Sequence, residues 1–470
     1  MDDSLFIYGG RVIDPSLGLD AHAALLCKGG RVTDMLRDLS PEDTEAMARN
    51  AHSSIDATGL VVSPGFIDIH MHEDPYDEAE DRLGKSMARS MAHMGVTTML
   101  GGNCGDNVSD PITYLDAVDR FHTASNIALL AGHTFLREHS GATGKFSSGG
   151  IDKYSHIDDH MLDIMVGHAR ECLEAGCFGI SFGVKYVPGT EWREISGLAS
   201  LCRKDDLLVS SHVRNDVDGV YDAAAELARI GSECGVRVQF SHIGSMGGYG
   251  QMPRLLSMIG DWRAHGIDMM CDCYPYDAFS TSIGETTYDD GFLESYQSDY
   301  GHIEICDGPY AGQRCTRELF ELLRREAPET MTIGYFMDQR DVDLALMKPY
   351  IMPASDGIRH GGQGHPRAAG TFPRFLHMYA STGRLSLYEA IRKMTCLPAE
   401  RIGLKGKGSL RPGSDADIVI FDPDRIRDMA TYEEPLLPPE GISRVIIGGR
   451  IAAEDGRLLR DDLGRAIRRK

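Results

Sequence analysis

The sequence predicts an α/β fold, a (β/α)8 TIM-type barrel carrying a small β-sandwich formed by the N- and C-terminal segments. Three observations predict it. Eight apolar, strand-like runs alternate with segments of helical period through the middle of the chain. Short alternating apolar runs broken by Gly-Gly-Arg occupy both ends, at Gly9 to Arg11, Gly29 to Arg31 and Gly448 to Arg450. A length of 470 residues suits one large barrel with a second module attached.

The terminal elements follow from turn chemistry. Paired glycines tolerate the positive φ of two-residue hairpin turns, and the flanking runs SLFIY, AALLC and RVIIG are strand-like, so all three Gly-Gly-Arg sites read as hairpins. The segment KGSLRPGSDADIVIFDP, Lys407 to Pro423, continues the same texture. The expected sandwich therefore comprises 1–62 and 408–470. Between them, 63–407 reads as the barrel, with strands in GFIDIHMH, TTMLGGNC, IALLAGHTFL, CFGISFGVKY, LLVSSHV, VRVQFSH, IDMMCDCYPY and YIMPASD. MLDIMVGHARECLEAG and VYDAAAELARIGSECG carry apolar residues three and four apart and end in glycine, the pattern of amphipathic helices with C-caps. The stretch near 280–330 breaks this rhythm and reads as a lid inserted into the barrel.

Composition removes several classes of partner. Forty-eight basic against 70 acidic residues give a formal charge of -22, which opposes capture of a phosphate backbone, so nucleic acid is not expected. The start, MDDSLFIYGG, has no basic region leading into an apolar one, and nowhere do about 18 uncharged apolar residues run together, so a membrane is not expected either. Eleven scattered cysteines, an odd number, suit reduced thiols in a cytoplasmic protein better than a disulfide framework. Whether the chain forms a homo-oligomer is left open.

In such a barrel, chemistry gathers at the C-terminal ends of the strands. His70 and His72 close the first run, and a period of two puts both imidazoles on one face. Polar residues recur at later strand ends: Cys104 after the second, Lys185 after the fourth, His212 after the fifth, His242 after the sixth and Asp356 after the eighth. Four imidazoles, one carboxylate and one or two bridging groups suit one or two divalent ions, with Zn2+ favoured by nitrogen and sulfur donors. His133 and Arg137 at the third strand end are placed to line a pocket or to make a structural hydrogen bond. Arg359, His360 and His365 precede Arg367 on the eighth loop, and Arg367 offers a planar guanidinium able to hold a carboxylate through two hydrogen bonds. Cys271 and Cys273 alternate near a strand end and read as packing.

The runs GFIDIHMHED, GGNCG, GISFGVKYVPG, SSHVRND, QFSHIG, DCYPY and ASDGIRHGGQGHPRAAGTFPRFL, with KGSLRPGSDADIVIFDP, resemble the amidohydrolase superfamily, and most closely its D-aminoacylase branch, over nearly the whole chain. The resemblance implies His70, His72 and Asp356 at one metal site and Cys104, His212 and His242 at the other. It also implies Arg367 on the substrate carboxylate, helped by Tyr276. Two departures stand out: Gly244 takes the place of a lysine usual in the branch, and Lys185 takes the place of an apolar or aromatic residue. A lysine at the end of the fourth strand is carboxylated and bridges two metals in dihydroorotases, hydantoinases and isoaspartyl dipeptidases, so a carbamate on Lys185 is a second candidate bridge beside Cys104.

The implied activity is hydrolysis of a small-molecule N-acyl amino acid, of D configuration, by a metal-activated water, with Asp356 as the proton carrier and Arg367 positioning the substrate. His133 is a further candidate at the substrate. A cyclic amidase or an isoaspartyl-type dipeptidase using Lys185 is the alternative, and a non-catalytic scaffold is the remote one.

Overall fold

The computed structural model describes residues 4–142, 152–359 and 364–469. Eight parallel strands form at the eight runs: Phe66–Asp68, Val96–Gly101, Asn126–Leu129 continued by Ala131–Gly132, Gly179–Gly183, Leu208–His212, Arg237–Phe240, Met269–Cys273 and Ile351–Pro353. They pair in chain order from the first to the eighth, always in parallel. The eighth returns to the first through a parallel bridge between Met71 and Gly357, with the Asp356 amide donating to the His70 carbonyl at 2.7 Å and the His72 amide to the Gly357 carbonyl at 2.9 Å. These last contacts tie two candidate ligand loops together through backbone.

The connecting helices form where period and caps demand. Asp159–Glu174 starts at Asp158, whose carboxylate accepts from the Met161 amide, and it buries Met165, His168, Ala169, Cys172 and Leu173 on one face. Val220–Cys234 ends at Gly235, which takes φ 67°, as the glycine-terminated pattern requires.

Two further sheets are built from the chain ends. A seven-stranded sheet takes strands from both, because Ile418–Phe421 pairs antiparallel with Val61–Pro64. A four-stranded sheet of N-terminal strands shares its core, where Leu5, Ile7, Val12, Leu25, Val62, Ile418 and Ile420 are buried together. The hairpins expected at Gly29-Gly30 and Gly448-Gly449 form, with all four glycines at positive φ. The Gly9-Gly10 site differs: Leu5–Tyr8 and Arg11–Asp14 belong to different sheets, so the chain crosses between sheets there instead of folding back. Gly10 is needed for close approach, since a Cβ would lie 2.8 Å from Val62 and 2.9 Å from Ala57.

The outer boundaries also shift. The last N-terminal strand runs to Pro64 and leads through Gly65 into the first parallel strand. The C-terminal segment leaves its sheet and returns to the third parallel strand, through bridges from Thr123 to Gly464 and from Ile127 to Ala466. The expected lid is a three-stranded antiparallel sheet, Phe279–Ser282, Met331–Gly334 and Ile303–Ile305, with short helices between. Phe279, Ser280 and Thr281 of its first strand line a cavity together with His212 and His242 at the parallel strand ends.

Candidate metal centre and substrate cavity

The side chains expected at the strand ends converge. One ligand atom from each of His70, His72, Cys104 and Asp356 lies within 4.8 Å of the others, and Cys104, His212 and His242 satisfy the same limit, so the thiol belongs to both groups. Cys104 Sγ is 3.3 Å from His70 Nε2 and 3.3 Å from His242 Nε2. Asp356 Oδ1 is 3.4 Å from His70 Nε2 and 3.2 Å from His72 Nε2. Three of these residues sit in the left-handed region: Cys104 at φ 54°, His242 at φ 35° and Asp356 at φ 47°. Such backbone costs roughly 1–3 kcal/mol at a non-glycine residue and persists where its surroundings over-determine it, typically at functional sites.

The site's own electrostatics suit a cation. Burial alone would raise the Cys104 thiol, but His70 and His242 hold it well below its usual range, favouring the thiolate. Burial, and then His242, press His212 down to about 4, leaving a neutral imidazole. Asp356 is kept well below the usual carboxylate range against its burial by Arg367 and the imidazoles. Anionic sulfur, anionic oxygen and imidazole nitrogen at one point form a donor set that fits zinc.

A surrounding layer of polar residues, not singled out in the sequence, fixes these ligands. Asp272, 1 % exposed, meets His70 Nδ1 at 3.0 Å and accepts from the His242 amide at 2.7 Å and Gln239 Nε2 at 2.9 Å. The ring nitrogen opposite the metal-facing one is thereby pinned to a carboxylate. Ser245 Oγ does the same for His242 Nδ1 at 2.9 Å. Asp68, at the two-residue spacing that leads to His70 and His72, accepts from the His70 and Ser355 amides, and burial pushes its carboxyl up to about 7. The available signals were an acidic residue between two packing cysteines, and a third polar residue in phase with a histidine pair.

Three expected site residues are placed elsewhere. Lys185 Nζ donates to Asp216 Oδ1 at 3.0 Å, so its amine is held in a salt bridge there. His133 is fully buried and meets Glu194 Oε1 at 2.6 Å; Arg137 closes on the same carboxylate at 2.9 and 3.0 Å, making a structural triad instead of a substrate contact. Tyr276 approaches Asp428 at 3.5 Å under the Arg374 guanidinium. The neighbouring Tyr274 lies beneath Arg367, 4.6 Å from its guanidinium carbon, and occupies the place expected of Tyr276.

Arg367 is 2 % exposed, with Nη1 2.8 Å from Asp356 Oδ2 and Nη2 donating to the Ser280 carbonyl of the lid at 3.3 Å. Its Nε, and Ser280 Oγ, are buried without a hydrogen-bond partner, and both residues line a cavity with His212, His242 and Asp356. His365 orders this loop, accepting from the Arg367 amide and lying 3.0 Å from the Ala278 carbonyl; His360 lies outside the described residues. The lysine missing at Gly244 also has a steric reason, because a Cβ there would lie 2.8 Å from Cys273 Sγ. Cys271 and Cys273 are buried, their thiols pushed up, Cys273 to about 12, as packing residues would be.

A parallel α/β fold whose strand ends bring four imidazoles, a thiol and a carboxylate to one buried point belongs to the class of metal-dependent hydrolases. The model of the Amidohydrolase family matches residues 350–453. An N-acyl-D-glutamate deacylase of Alcaligenes xylosoxydans xylosoxydans is 31% identical, covering 95% of this chain and 92% of the relative. A D-aminoacylase of the same organism is 30% identical over 99% of this chain and 97% of its own. The crystal structure of N-acyl-D-glutamate deacylase from Bordetella bronchiseptica, complexed with zinc and a phosphonate mimic of the tetrahedral intermediate, superposes with a TM-score of 0.82 at 29% identity over 99% of both chains. The chain belongs to the amidohydrolase family, in its D-aminoacylase branch.

Proposed function

We propose that the protein is a zinc-dependent amidohydrolase that deacylates N-acyl-D-amino acids, working at one mouth of a (β/α)8 barrel flanked by a β-sandwich. The observation that carries this reading is the meeting of His70, His72, Asp356, Cys104, His212 and His242 around a shared thiol. The cyclic strand pairing supports the barrel, and the names of the relatives support the D configuration. His70, His72 and Asp356 would hold one ion, His212 and His242 the other, with Cys104 common to both. When bound, zinc supplies Lewis acidity and lowers the pKa of water towards neutrality.

The chain's own residues do the rest. Asp356 accepts the proton of the attacking water and delivers it to the leaving amine nitrogen, which departs poorly without it. Arg367 receives the substrate carboxylate at Nε, which lacks a hydrogen-bond partner, beside the equally unpartnered Ser280 hydroxyl. Tyr274 packs under that guanidinium and keeps it in place. The lid strand Phe279–Ser282 covers the reacting groups. A cytoplasmic setting is part of this reading, supported by eleven cysteines that are all free and buried. No helix among the described residues is long and apolar enough to cross a membrane.

The cyclic-amidase and isoaspartyl alternatives lean on a carboxylated Lys185, and its pairing with Asp216 weighs against them. A hydrolysis panel of N-acetyl D- and L-amino acids, hydantoins, dihydroorotate and β-aspartyl dipeptides, with zinc content measured on the same sample, tests the reading. Zinc-loaded protein should cleave the N-acetyl-D-amino acids. Cleavage confined to the cyclic amides or the dipeptides would refute it.

A further inference from the structure

The reaction above leaves the substrate's side chain unassigned, and the cavity has its own chemistry. We propose that Asp216, held by Lys185 and Tyr296, makes the enzyme reject acidic side chains and select N-acyl-D-amino acids whose side chain is uncharged and apolar or aromatic. This rests on the deacylase reading and names the substrate class of the same site.

Asp216 lines the cavity that holds His212, His242, Asp356 and Arg367. Both of its oxygens are engaged: Oδ1 accepts from Lys185 Nζ at 3.0 Å and Oδ2 from the Tyr296 hydroxyl at 2.7 Å. The Lys185 and Asp216 side chains are each 13% exposed, so the pair is largely withdrawn from water. Among the described residues that line the cavity, Arg367 is the one lysine or arginine, and it already faces the Asp356 carboxylate at 2.8 Å. A substrate's α-carboxylate uses that cation. A second carboxylate, on the side chain, would lose its hydration beside Asp216 with no uncommitted cation among the described lining residues to receive it, and like charges brought together in a partly dry site repel strongly.

One part of the remaining wall is apolar, beside the hydroxyls of Ser245, Thr281 and Thr287. Phe279 and Tyr296 line the cavity with Met246, their ring centroids 5.9 Å apart, and Phe336 stacks behind Tyr296 at 4.8 Å. Such a surface gains by covering a methionine, leucine or phenylalanine side chain. The departure at Lys185 thereby acquires a role: from behind the cavity wall it holds Asp216 rigid and charged, offsetting only part of its field, and is itself occupied in doing so.

The test compares kcat/KM for N-acetyl-D-methionine and N-acetyl-D-phenylalanine with that for N-acetyl-D-glutamate and N-acetyl-D-aspartate. The wild-type enzyme should favour the uncharged pair by about 100-fold or more, the scale set by one unpaired charge in a partly buried site. Asp216→Asn leaves the Lys185 ammonium facing the cavity without its counter-ion, so it should shift the ratio toward the acidic substrates by about tenfold or more. Lys185→Met, which leaves Asp216 unneutralised, should move the ratio the other way. A wild-type preference for the acidic pair would overturn the proposal, and so would an unchanged ratio in both variants. If either variant fails to fold, the wild-type ratio decides alone. Cleavage of the acidic substrates in preference refutes only the side-chain assignment, whereas cleavage of none of the four overturns the deacylase reading with it.

Discussion

Asp356 and Arg367 divide labour that a single substitution separates. Asp356→Ala should lower kcat by about 10²- to 10⁴-fold, the usual worth of a positioned proton carrier, with the circular dichroism spectrum of the fold retained. Arg367→Ala should act mainly on KM for substrates bearing a free carboxylate, because the guanidinium binds and does not exchange protons. An unchanged KM in steady-state kinetics would contradict that. Asp272→Ala should cut zinc affinity by about 10- to 100-fold, measured by competition with a chromophoric chelator, since it removes the partner of the His70 ring and of the His242 amide. The clustering of His70, His72, Cys104, His212, His242 and Asp356 was legible in the sequence because strand ends in one cyclic order must meet, whatever the loops between them do. Tyr274 packs under Arg367 and Tyr276 under Arg374; spacing could not separate them because the two tyrosines flank one proline, and only the turn of the chain decides which meets Arg367. His133 was ambiguous for a different reason: its partner Glu194 is 61 residues away on a helix, beyond what spacing can pair.

At the scale of elements, the fourth strand shows why position and side chain are separable. It ends at Gly183, two residues before the lysine, and a Cβ on Gly183 would lie 2.0 Å from the Cys104 carbonyl. The missing side chain lets the Cys104 loop close over the strand end. Gly183→Ala should therefore displace that loop, lowering stability by about 1–3 kcal/mol in denaturant melts and reducing bound zinc in parallel. Normal stability and normal zinc content would show that the close approach is dispensable. The strands and the helices with strong caps were predictable from period and end residues. The Gly9-Gly10 crossing was not, because paired glycines fit a hairpin and a tight crossing between sheets equally well, and the choice is made by partners far along the chain. The insertion near 280–330 was legible as a break in rhythm, but its three-stranded sheet was not, since its strands pair across intervening helices.

Over the whole molecule, the two chain ends are structurally interdependent. Ile418–Phe421 depends on Val61–Pro64, and Gly464 to Ile467 extends the edge beside the third parallel strand. Removing residues 463–470 should lower the Tm by several degrees, at roughly 2–4 °C per kcal/mol for large domains, by exposing the backbone of Thr123 and Ile127. An unchanged melting curve would show that the tail adds nothing. The sequence revealed a composite module through its shared texture at both ends, but not this return of the tail, which carries no hydrophobic period of its own. The central claim is that residues remote in the chain hold metal at one point, at the ends of the parallel strands. Anomalous diffraction at the zinc edge from zinc-soaked crystals tests it most directly: the account predicts one or two peaks within the cage of His70, His72, Cys104, His212, His242 and Asp356, whereas peaks only elsewhere, or none, would contradict it.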